Sequence, residues 1–147
     1  VFYFGLDDKK IIQDQDTALG RLASKFFFGP SDEFRNQTFK LIPRIVEGNL
    51  LVRKSVGSKP AILGKKLKLH YIRTDRFMEI IVDIGSEKIA ERIVKLSIGY
   101  AKTMVVDMAF LLEGVHVSTL PERLLGAVRM SKIDFKDRDG HRMCHLV

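Results

Sequence analysis

The sequence predicts an α+β domain: a mostly antiparallel, curved sheet with a long helix packed on one face. Three observations lead there. Apolar residues alternate with period two across residues 67–84 and again across 104–112, as half-buried strands require. The period changes to 3.6 over 17–28 and 86–100, which marks two amphipathic helices. The order strand, helix, strands, helix, strands is that of a sheet with helices on one side.

Taken in order, VFYF at 1–4 reads as the end of a strand, and a polar connector follows around Ile11 and Ile12. Asp16 or Thr17 can cap the first helix, whose apolar stripe is Leu19, Leu22, Ala23 and Phe26. Gly29 and Pro30 stop it, and Ser31 can cap a short helical turn through Phe34. Residues 39–46 alternate as a strand, with Pro43 pushing it toward an edge or a bulge. The stretch NLLVRKSV at 49–56 fits helix and strand equally, and GSKP is a turn. A two-residue turn at Thr74-Asp75 makes 67–84 a hairpin. It sets Tyr71 against Met78, Leu69 against Ile80 and Leu67 against Val82 on one face. His70 then faces Glu79 and Lys66 faces Asp83 on the other. Ser86 is the expected N-cap of the second helix, with Ile89, Ile93, Leu96 and Tyr100 on one side. A strand over 104–114, a loop with a helical turn near Pro121 and a last strand over 127–135 complete the domain.

The 147 residues suit one domain, 1–135, followed by a polar tail, 136–147. The chain opens on Val1 inside a strand pattern, so the domain is read as N-terminally incomplete. A composition 46% hydrophobic and 29% charged is that of a folded protein, not of a disordered segment. The longest apolar run, 105–112, is interrupted by Asp107 and falls well short of the roughly 20 residues that cross a bilayer. The single cysteine, Cys144, cannot form an internal disulfide, which points to a reducing, cytoplasmic setting. The net charge is +7, and its position is informative: residues 53–76 hold eight basic residues and one acid, while the remainder carries 17 of each. A concentrated basic segment favours an anionic surface over general solubility.

The stretches RNQTFKLIPRIVEGNLLVRKSVGSKPAILGKKLKLHYIRTDRFMEIIVDIGS, MVVDMAFLLEG and LPERLLGAVRMSKIDF resemble the C-terminal domain family of the plant Enhanced Disease Resistance 2 protein. The similarity runs from about Phe34 to Phe135. In plant members this domain follows a pleckstrin-homology domain and a START lipid-binding domain, so the resemblance implies work at membranes, no catalytic activity, and a fold that could be START-like. Leu50 stands where an aromatic residue is usual, and SEKIAERIVKLS is more charged than the corresponding helix of plant members.

The basic residues Arg53, Lys54, Lys59, Lys65, Lys66 and Lys68 are therefore the candidate site for an anionic lipid or membrane surface, against the plainer reading of a solvated sheet face. An acidic protein partner within a larger assembly is the second reading. Nucleic acid fits poorly, because no stacking aromatics interleave with the cations. Met78, Ile80, Met104, Met108 and Phe110 are soft apolar residues suited to an acyl pocket or, more plainly, to the core. Asp83 and Asp107 on apolar strands read as buried ion pairs, with Lys66 for Asp83 and Arg44 or Arg53 for Asp107. His141, Cys144 and His145 in the tail lack a fourth ligand nearby, so no metal or other cofactor is expected. The expected protein is a non-enzymatic, peripheral membrane module.

Overall fold

The computed structural model describes residues 1–134. Among these residues the fold is α+β, with four α-helices, a four-stranded antiparallel sheet and a separate two-stranded hairpin. The large sheet has the order β2-β1-β5-β6, formed by Ala61–Ile62 (β2), Phe39–Glu47 (β1), Val105–Leu112 (β5) and Leu124–Ser131 (β6). Alternation dictates its two faces. Phe39, Leu41 and Ile45 share the inner face with their partners Leu112, Phe110 and Val106. Lys40 and Arg44 face outward, opposite Leu111 and Asp107. Pro43 lies in a strand with neighbours on both sides, yet β2 pairs only with Lys40 and Leu41. Beyond them β1 is an edge strand, where a missing N–H is tolerated, and its ladder to β5 is irregular between Ile45 and Glu47.

The inner face serves two cores. One gathers Ile12, Leu22, Ala23, Phe26, Phe39, Leu63, Leu69 and Leu112. The other is built on Val52, Met104 and Val106, with Leu96, Tyr100, Met108 and Met130 against it.

The hairpin pairs Lys68–Arg73 (β3) with Met78–Asp83 (β4). Leu69, Tyr71, Met78, Ile80 and Val82 face the first core, as the alternation predicts, but the register is two residues from the expected one. Tyr71 lies opposite Ile80, His70 opposite Ile81, and Lys68, not Lys66, opposite Asp83. A two-residue shift preserves the faces, whereas a one-residue shift would invert them. The loop is Thr74–Phe77: Thr74 N–H donates to Phe77 O at 2.9 Å, and Thr74 Oγ1 accepts from the N–H groups of Arg76 and Phe77. That side-chain turn replaces the Asn-Gly chemistry a two-residue connection demands.

Helix α1, Ala18–Phe28, is capped by Thr17, whose side chain accepts from Gly20 N–H. It ends at Gly29 in extended conformation, the geometry imposed by the following Pro30. Helix α2, Asp32–Thr38, is capped by Ser31. Leu50–Val56 resolves as helix α3, with Asn49 accepting from Leu51 N–H at 2.8 Å. Helix α4, Lys88–Gly99, is capped by Glu87, not Ser86: the Glu87 carboxylate accepts from Ala90 N–H. Ser86 Oγ instead accepts from Lys68 N–H and donates to Asp83 O, tying the helix entry to the hairpin. Helix α4 has no fully buried residue and docks through Leu96 and Tyr100. Residues 1–4 form no strand; Phe2 and Phe4 pack on Phe110 instead. The turn expected near Pro121 lies earlier, at Val117–Thr119, and the last strand begins at Leu124, not Ala127.

Arg35 is fully buried. Its Nε donates to Phe26 O at 2.7 Å, one terminal nitrogen to Asp32 Oδ1 at 2.7 Å and the other to Gly29 O. The guanidinium carbon lies 5.7 Å from the Tyr71 ring centroid. Replacing Arg35 with Leu should cost about 3 kcal/mol in urea unfolding, because two carbonyls lose their donor. A loss below about 1 kcal/mol would contradict this role.

Lys40 is also buried, and its ammonium bridges Glu113 and Glu122, with Glu122 at 2.7 Å. Burial opposes its charge, but the two carboxylates outweigh it and raise its pKa above 10.5. Burial likewise opposes ionisation of Glu122, yet Lys40 and the Gly114 N–H hold its carboxyl below 4.5. A lowered folded-state value means stability that is present above pH 4.5 and lost as pH falls through the folded value. The raised Lys40 value contributes stability below pH 10.5 that is lost as pH rises past the folded value. Glu122→Gln should therefore cost about 2 kcal/mol at pH 7, and its deficit relative to wild type should shrink as pH drops from 5 to 3. A deficit independent of pH would exclude the ion pair as its source.

Candidate functional site

The six predicted cations do not share one sheet face. Arg53 and Lys54 lie on α3, Lys59 in the following turn, and Lys65 and Lys66 on and just after the 3-10 turn Leu63–Lys65. Lys68 opens β3. All six are exposed, and among the described residues none is in a salt bridge. Lys66 only adds its charge to the causes, led by the Ala90 N–H, that keep the Glu87 carboxyl low. Gly64 holds this stretch against α2: a Cβ there would lie 2.4 Å from Asn36 backbone atoms. Arg73, outside the set, donates to Gly29 O at 2.8 Å.

Helix α3 shapes the surface. Val52 is fully buried and Val56 packs beside it. At 100° per residue, those two point the opposite face, with Leu50, Leu51 and Lys54, into solvent. Leu50 is 71% and Leu51 60% exposed. Arg53 flanks them and donates to Val46 O at 2.9 Å.

Asp107 departs from its expected pairing. Arg129 on β6 grips it with two hydrogen bonds, at 2.6 and 2.7 Å. That bond, assisted by Arg44 across the ladder, holds the Asp107 carboxyl below its usual value. Arg44 is left exposed without an ion-pair partner among the described residues. It lines a cleft of about 210 Å³ with Ile45, Arg53, Gly57 and Ser58. Arg44 escapes a sequence reading because it lies nine positions before Arg53, outside the basic run; its outward place on β1 is the signal that finds it.

The five candidate pocket residues separate. Met78, Ile80 and Phe110 pack against the first core, and Met104 and Met108 belong to the second. None lines that cleft or a second, wider one. The wider one, about 940 Å³, runs past Gly48, Asn49, Ile98, Tyr100 and Lys102. His141, Cys144 and His145 lie outside the described residues.

Residues 1–134 match the family described as Protein ENHANCED DISEASE RESISTANCE 2, C-terminal. A curated relative, Protein ENHANCED DISEASE RESISTANCE 2-like from Arabidopsis thaliana, is 47% identical over 115 residues, which cover 78% of this chain and 16% of the relative. The chain thus spans about a sixth of that relative's length. No solved structure matches the chain, so a START-like fold has no structural relative behind it.

Proposed function

Because the chain belongs to the Enhanced Disease Resistance 2 C-terminal family, we propose that it is a non-enzymatic module that associates peripherally with anionic membranes. The observation that carries this reading is the outward face of α3, where Leu50 and Leu51 lie exposed beside Lys54 and Arg53. Two adjacent leucines in water are unfavourable, and each gains about 1.5–3 kcal/mol when its side chain is buried. Cations alongside them suit the boundary of a bilayer, where acyl chains meet charged head groups. Lys59, Lys65, Lys66 and Lys68 continue the exposed positive charge along the chain, and each contributes about 1 kcal/mol near an anionic leaflet. Among the described residues no helix is long and apolar enough to cross a membrane.

Vesicle co-sedimentation tests the electrostatic part. The protein should bind vesicles containing phosphatidylserine and ignore neutral ones. Replacing Lys59, Lys65 and Lys68 with Gln should weaken binding roughly a hundredfold and leave the unfolding midpoint nearly unchanged, since exposed lysines add little to folding. Binding indifferent to lipid charge and to the triple substitution would reject the reading; loss of a protein partner on the same substitutions would put an acidic protein surface in its place.

The apolar part has its own reporter. The chain contains no tryptophan, so Leu51→Trp supplies a single indole. Its emission should shift to the blue on anionic vesicles and be quenched by brominated acyl chains. An indole that stays in water while the protein sediments with vesicles would remove α3 from the contact.

A further inference from the structure

We infer that the cleft between β1 and the turn after α3 binds a phosphate monoester through Arg44 and Arg53. This assignment rests on the membrane reading above and names the head-group chemistry of the same surface. The cleft exists because β2 pairs with only the start of β1, so the strand's outer edge is uncovered from Ile42 onward. Gly57 and Ser58 lie across the cleft from Arg44 and Ile45, and Gly57 makes the bend with φ of +67°, a conformation that strains any residue with a Cβ. The bend brings Ser58 to the cleft lip. Its hydroxyl has no hydrogen-bond partner among the described residues.

The two arginines are prepared in different ways. Arg53 is anchored by one terminal nitrogen on Val46 O, which leaves its remaining N–H groups available and limits the freedom lost when a ligand binds. Arg44 faces Asp107 across the ladder but makes no ion pair with it, while Arg129 bonds both oxygens of that carboxylate. Glu47, the acid that ends β1, faces Lys132 at 3.7 Å. Two guanidinium groups and a hydroxyl therefore line one cleft whose nearby acids are already engaged.

Guanidinium forks match phosphate oxygens in pairs. A monoester presents three acceptor oxygens and close to two charges at pH 7, whereas a diester offers two free oxygens and one charge. At about 210 Å³ the cleft is smaller than the roughly 300–1,000 Å³ of sites that enclose whole organic ligands. It suits a compact anionic group with the rest of its molecule outside. A lipid head group and a soluble phosphate share this chemistry.

The test uses the full chain and vesicles matched in surface charge, containing either phosphatidic acid, a monoester, or phosphatidylserine, a diester. Wild type should prefer phosphatidic acid roughly tenfold, the equivalent of one charge-assisted hydrogen bond. Arg44→Gln and Arg53→Gln should abolish the preference. Arg44→Lys, which keeps the charge and loses the fork, should abolish it while retaining phosphatidylserine binding. Lys68→Gln, outside the cleft, should weaken both lipids alike and keep the preference. A second arm follows the arginine side-chain N–H resonances during titration with inorganic phosphate and glycerol 3-phosphate. Shifts in Arg44 and Arg53 without any preference among vesicles would overturn the lipid source and assign the cleft to a soluble phosphate. Equal binding of both lipids with silent arginine signals would overturn the cleft and leave the electrostatic reading standing. Absence of all vesicle binding, with silent arginines, would overturn both.

Discussion

The Arg35 guanidinium joins elements that the chain presents separately. It caps the C-terminal carbonyls of α1, meets the first-turn acid of α2 and lies beside Tyr71 of the hairpin. A buried charge is costly unless its donors are satisfied, and here each nitrogen has a partner within the packed helices. Tyr71 extends the junction, since its hydroxyl donates to Asn36 Oδ1 at 2.9 Å. Burial and the Asp32 charge push its pKa up to about 12, so the phenol stays a neutral donor throughout the physiological range. With α1, α2 and the hairpin held together, the first core closes around Phe26, Phe39 and Leu69.

The second core places the proposed surface. Helix α3 has seven residues, so only Val52 and Val56 reach the apolar inner face of the sheet, and the leucines before them must turn outward. Single exposed apolar side chains are ordinary on soluble proteins. Two neighbouring leucines among cations that find no acids are a different matter, because neither apolar contact nor charge is satisfied within the described fold. The same short β2 that leaves β1 uncovered opens the cleft where Arg44 and Arg53 meet. The cleft thus follows from one topological feature, a two-residue strand where a longer one would have sealed the edge, and the exposed leucines follow from the docking of α3.

Much of this fold is legible in the residues. The period-two stretches, the Ser31 cap and the inward face of the hairpin all follow from local pattern, which narrows the first cap to Asp16 or Thr17, and the long shared motifs point to the family. The features that elude such reading depend on contacts distant in sequence. The hairpin faces emerge correctly from alternation, but the loop length does not, because Thr74 builds its turn with a side chain instead of a dipeptide signature. NLLVRKSV is ambiguous until Val52 finds Met104 and Val106. Asp107 chooses Arg129 over Arg44 because β6 is its neighbour, a fact of sheet order. Ser86 looks like a helix cap yet serves the hairpin, since Glu87 reaches Ala90 first. The basic residues are legible as a set, while Arg44 enters only through the strand that carries it.

Hydrogen exchange with and without anionic vesicles, resolved along the chain, tests most directly whether this surface meets a membrane. The expected result is slowed exchange within residues 44–59, spanning the open edge of β1, α3 and the turn after it, with residues 115–120 on the β5–β6 connection unchanged. Protection at 115–120 with none at 44–59, or no protection on vesicles that demonstrably hold the protein, would contradict it.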